Sequence, residues 1–211
     1  MALQFRRYPD AQIFAFDFGG SIRAAAIAMG GDWHDLGGSV AGESSEFVAL
    51  QPLAGIDDVS ERGWAAEWIA SILVRERIEV TPETKDHVWS ALNSLASAPI
   101  EERTLTGLAV LLQSNALKRA LQPYCLGGPY DRLLDAEHER LGDSSVQVFE
   151  TDGLIGTTVA PPVLSYLFHR IEHRFDGRPT LLLIDEGWLA LDNADFAGKL
   201  REWLKTLRKK N

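Results

Sequence analysis

The stretch Thr180-Leu-Leu-Leu-Ile-Asp185-Glu186 limits the fold more than any other. Its consecutive apolar residues, Leu181 to Ile184, present hydrophobic side chains to both faces of a strand. That pattern suits a central parallel strand covered by helices on both sides. The two acids that close the run fall at its carboxyl end, where open α/β sheets bind ligands. Adjacent carboxylates at the rim of a buried strand are costly unless a cation compensates. The pair is therefore either a nucleotide- and metal-handling site or the solvated end of a strand.

Other segments repeat the strand-and-helix pattern. Residues 12–17 form a compact apolar run ending in Asp17 and read as a buried strand. Gly19-Gly20 supplies a turn, Ser21 is placed to cap a helix through Ile22, Ala25, Ala26 and Met29, and Gly30-Gly31 closes it. Short extended pieces are expected near residues 33–36 and 47–50, and a further strand at 145–150. After Pro161-Pro162 a helix carries Leu164, Leu167, Phe168 and Ile171, and a last helix is expected over 195–210. The opening residues 2–7 read as the tail of a helix stopped before Pro9.

Between these segments lies a region of helices. Trp64, Trp68 and Ile72 recur at helical spacing, Thr81-Pro82-Glu83 is a helix start with Thr as the cap, and shorter helices are expected near 105–112 and 116–121. Residues 60–122 carry no strand signal. The expected division is 1–59 for the first portion of an α/β core, 60–143 for a helical insertion, and 144–211 for the second portion of the core.

Composition bounds the class. At 45% apolar and 24% charged residues the chain is globular. Its apolar runs, such as 108–112 and 181–184, fall far short of the ~20 residues of a membrane span. Cys125 is the only cysteine, so no internal disulfide forms and a reducing, cytoplasmic setting is expected. A net charge of −9 opposes broad contact with phosphates, and no direct nucleic-acid binding is expected. Lys205, Arg208, Lys209 and Lys210 form a basic cluster that reads as the cationic end of a helix or, alternatively, a nucleic-acid patch.

Several residues with metal-binding or nucleophilic chemistry read as structural. His169 and His173 share zinc-binding spacing, but the run His-Arg-Ile-Glu-His is not the His-Glu-x-x-His order. His34 and His138 read as surface or loop residues, and Cys125 has no neighbouring histidine to activate it. The tryptophans on helical stripes read as core.

The segments taken together resemble a family. TLLLIDEGWLALDNADFAGKLREWLKTLRKKN, from Thr180 on, looks like the Walker B region of the TrbE-like ATPases of conjugal transfer and type IV secretion. YPDAQIFAFDFGGSIRAAAIAMGG from Tyr8, VALQPLAG from Val48 and YCLGGPYDRLLDA from Tyr124 extend the likeness in the family's order. The resemblance implies a RecA-like P-loop NTPase core, here with an incomplete parallel sheet, and an inserted helical lobe. It implies ATP and Mg²⁺ as cofactors, with Asp185 holding Mg²⁺ through water and Glu186 as the catalytic group that polarises the attacking water. It further implies other subunits of a conjugation or type IV secretion apparatus at the inner membrane as partners, homo-oligomerisation, and a cytoplasmic position reaching that membrane through partners.

The family pattern is not complete here. No G-x-x-x-x-G-K-[ST] occurs; the only Gly-Lys pair, Gly198-Lys199, precedes Leu200 inside a helical pattern. The resemblance puts that loop before Met1 and the family's later motifs after residue 211, and Phe18-Gly19-Gly20 stands where the family tends to carry Lys-Gly-Arg. The expectation is the Walker B half of an ATP site, inactive alone, with an unpaired sheet edge that promotes self-association. The alternative is a non-catalytic binding or scaffold remnant.

Overall fold

A computed structural model of the chain describes residues 1–38, 48–185 and 198. In chain order the elements are α1 (Ala2–Phe5), β1 (Gln12–Asp17), α2 (Arg23–Ala28), β2 (Asp32–Asp35), α3 (Val59–Arg75) and α4 (Pro82–Leu95). They continue with α5 (Leu105–Leu111), α6 (Asn115–Leu121), α7 (Asp131–Leu134), β3 (Val146–Glu150), α8 (Ala160–Glu172) and β4 (Thr180–Ile184). The chain divides into two compact units: Met1–Phe47 with Gly142–Asn211, and Val48–Leu141. No helix among the described residues is long and apolar enough to cross a membrane.

The first unit is built on a parallel sheet in the order β2-β3-β1-β4. Alternation along β1 divides its side chains between two faces. Ala15 joins Val148 and Ala26 of α2 in one buried cluster, against which Ile22, Trp33 and Leu183 pack. Phe14 and Phe16 face the other way; the Phe16 ring lies 5.2 Å from Phe149 and 4.9 Å from Phe168 of α8. Helices thus cover both faces, and β1 and β3 are buried at every position.

β4 departs from expectation. Its apolar run predicts a central strand, yet among the described residues β1 is its only strand neighbour and all its positions are half-buried. An apolar edge strand is an open template for further pairing. α2 differs too: Ile22 is its N-cap, and the Ser21 hydroxyl turns back to Asp17 instead. Gly30 takes φ +70° where α2 ends, a conformation that costs a glycine nothing. Of the helix expected over 195–210 only Gly198 is among the described residues, and it is helical.

The second unit is helical throughout. Asp58 caps α3 by accepting from the N–H groups of Ser60 and Glu61, and Thr81 caps α4 through Thr84. Trp68, Ile69, Ile72, Leu73, Leu92 and Tyr124 are buried at its centre. Residues 48–50, expected to be extended, form no strand; Leu50 instead exchanges backbone hydrogen bonds with Leu133 and Ala136. The loop after them is tied down by Arg62, which donates to Ile56 and Asp57, and by Arg103, which donates to Ala54 and Asp57. After α6 the chain passes into a 3₁₀ turn over Gln122–Tyr124.

Candidate functional site at the carboxyl edge of the sheet

Each described strand ends at an acid or is followed by one. The register sets Asp35 beside Glu150 and Glu150 beside Asp17, and pairs Phe16 with Ile184, so that Asp185 comes next on β4. The four carboxyl-bearing residues form a row across the sheet edge, but their surroundings differ sharply.

Asp17 and Glu150 are buried. Glu150 accepts from the backbone N–H of Gly19 (3.1 Å), Gly20 (2.5 Å) and Asp152 (2.8 Å). Gly19 and Gly20 both have positive φ, +83° and +71°, which lets two successive amides turn onto one carboxylate. Asp17 accepts from the Ser21 hydroxyl (2.5 Å) and the Ile22 N–H (2.8 Å). Asp35 accepts from Gly37 and Gly38 at 3.1 and 2.9 Å. These three carboxylates are structural clasps that hold the loops following the strands.

Asp185 is different. It is exposed just past β4, and its N–H donates to the Phe16 carbonyl at 2.8 Å, which extends the ladder by one bond. An exposed carboxylate at a strand end suits a hydrated cation, which needs an oxygen ligand and room for its water shell. The described part of the edge suits a phosphate group poorly. Anions are gripped by free backbone N–H groups, and the amides of Gly19, Gly20, Ile22, Gly37, Gly38 and Asp152 are already donated to carboxylates. Glu186, the other half of the acidic pair, lies outside the described residues.

The remaining residues singled out from sequence fall elsewhere. His169 and His173 lie at the end of α8 with ring centroids 4.5 Å apart, edge to face. His34, expected at the surface, is instead buried on β2 and stacked on Phe149 at 5.3 Å. Burial lowers its pKa, and the charge of Asp32 only partly offsets this. Cys125 is buried too, and burial pushes its thiol up to about 12, so it is no nucleophile at neutral pH. His138 is exposed as expected. Among tryptophans, Trp68 is core and stacks on Trp64, whereas Trp89 is 39% exposed.

No family model matches the chain. Over its whole length it is 40% identical to a probable conjugal transfer protein TrbE of Sinorhizobium fredii, of which it spans 32%. The chain is a homologue of TrbE. It is also 39% identical over its full length to conjugal transfer protein TrbE of Rhizobium radiobacter, of which it spans 26%. The chain thus covers a third or less of these TrbE proteins. Among solved structures, VirB4 of Thermoanaerobacter pseudethanolicus superposes with a TM-score of 0.63 at 18% identity, covering 95% of this chain and 60% of that one. That likeness concerns the fold, and it agrees with a RecA-like parallel sheet flanked by helices.

Sequence reasoning missed the clasping roles of Glu150 and Asp17. A signal was present, since the strand segments 12–17, 32–35 and 146–150 all end in an acid. What could not be read was which acids the loops fold over.

Proposed function

We propose that this chain is the Walker B portion of the ATP site of a TrbE-type motor that energises conjugal transfer or type IV secretion. The observation that carries the reading is Asp185, exposed at the carboxyl end of a parallel strand, in a chain that TrbE matches from end to end. In this reading Asp185 holds the hydrated Mg²⁺ of Mg-ATP, and Glu186, next in sequence, polarises the attacking water. Bound Mg²⁺ supplies charge neutralisation of the phosphates. The partners would be other subunits of such an apparatus at the inner membrane and further copies of the same protein.

The same chain is proposed to be inactive alone. It has no G-x-x-x-x-G-K-[ST], and its loop amides are engaged by its own carboxylates. Nothing then orients the nucleotide for in-line attack. Those engaged amides also favour the second reading, a non-catalytic binding or scaffold module. Two measurements test the proposal. Phosphate release from ATP should stay at background; magnesium-dependent turnover that vanishes in Glu186→Gln would overturn the claim of inactivity. Titration with Mn²⁺ followed by electron paramagnetic resonance should show weak binding that Asp185→Asn removes. Equal binding by that variant would withdraw the role given to Asp185.

A further inference from the structure

The helical unit carries a second feature, independent of the sheet edge. A cavity of about 470 Å³ opens between the end of α4, the 3₁₀ turn Ile100–Glu102, α5 and the loop leading into and beyond α7. Glu101, Glu102, Asp135 and Glu137 line it, and among the described residues no Lys or Arg does. The neighbouring cations are already committed: Arg103 donates to the Ala54 and Ala98 carbonyls and to Asp57, and Lys118 donates to the Val110 carbonyl.

Apolar side chains share the lining. Val110, Leu111 and Leu126 are 70%, 40% and 80% exposed. Isolated exposed leucines are common, but three large apolar residues around one concavity mark a contact surface. Their display is held in place. The Asp135 carboxylate accepts from the Thr106 N–H (2.9 Å) and hydroxyl (2.5 Å), and the Thr106 oxygen in turn accepts from the Leu126 N–H at 2.8 Å. Leu126 is therefore presented by a braced backbone, so little ordering entropy remains to be lost on binding.

We propose that this cavity docks a basic segment of a partner protein. A large apolar side chain of the segment enters between Val110, Leu111 and Leu126, and flanking Lys or Arg side chains face Glu101, Glu102 and Glu137. Charge complementarity selects this occupant. A nucleic acid would bring phosphates against four carboxylates, and a wholly apolar segment would desolvate those carboxylates without pairing them.

The test uses the full 211-residue chain and a fluorescein-labelled peptide, Lys-Arg-Leu-Lys-Leu-Arg-Lys, followed by fluorescence anisotropy. Two control peptides replace the leucines with alanine or the basic residues with glutamate. The parent peptide should bind with a salt-sensitive affinity, and each control at least ~10-fold more weakly, the factor that corresponds to losing one good contact. Leu126→Ser, and Glu101→Gln combined with Glu102→Gln, should each cost a similar factor. These positions are exposed, so the fold should survive, as circular dichroism would verify. Neutralising the exposed Glu83 and Asp86 on α4 should have little effect. No binding of the parent peptide, unchanged binding to Leu126→Ser, or an equal loss on neutralising Glu83 and Asp86 would overturn the proposal.

Discussion

His34 stacks on Phe149 inside the sheet unit with 8% of its surface exposed, and its Nε2 finds no hydrogen-bond partner among the described residues. Burial lowers its pKa below 6.5, so in the folded chain the ring stays neutral where an unfolded chain would protonate it. Between the folded value and 6.5 the unfolded state binds more protons, and stability rises with pH across that window. Stability measured by urea titration should therefore fall as pH drops below 6.5, and His34→Phe should flatten that stretch of the profile. An unchanged slope in the variant would mean that another group titrates there. Asp185 shows the opposite case at the same scale: it is exposed, whereas Asp17 one strand away is buried and accepts from its own loop.

Among the elements, the clasp at Glu150 does the most to shape the candidate site. One side chain on β3 fixes the turn after β1 and the start of its own following loop. Glu150→Gln keeps the size but replaces one acceptor oxygen with a donor, leaving a buried N–H facing an N–H. The expected cost is about 1–3 kcal/mol, typical of a buried group left unsatisfied. Denaturant midpoints would read it, and hydrogen exchange at Gly19 and Gly20 should speed up together. Asp35→Asn should cost less, because that carboxylate is half-buried and water can replace it. Equal midpoints for wild type and Glu150→Gln would show that the clasp contributes little. β4 shows how an element depends on its neighbours: an apolar strand that among the described residues pairs only with β1 is half-buried along its length.

At the scale of the whole molecule, the helical unit has the features of an independently folding domain. Its core runs through Trp68, Ile72, Leu92 and Tyr124, and Leu50, Leu53 and Ile56 of the preceding loop are fully buried with it. A polypeptide of residues 48–141 should fold alone into a helical domain with a cooperative thermal transition by circular dichroism. In it, Trp68→Ala should cost ~3–5 kcal/mol, the usual loss for a large buried aromatic. A non-cooperative melt would show that this unit needs the rest of the chain. The TrbE relatives are longer than this chain, which spans 32% of one of them.

Local pattern in the chain specified most elements. The apolar runs at 12–17, 145–150 and 180–184, the cap at Thr81 with Pro82, and the stripe through Trp64, Trp68 and Ile72 each met a matching strand or helix. Such signals are short-range, carried by side-chain period and by turn chemistry within a few residues. Tertiary structure decided the rest. Among the described residues it left β4 paired with β1 alone, buried His34, turned Ser21 from a cap to a partner of Asp17, and divided the strand-end acids into clasps and one exposed residue. Those outcomes depend on which loop folds over which strand, a matter of contacts between residues such as Gly20 and Glu150, 130 positions apart. Periodicity within a segment carries no record of such contacts.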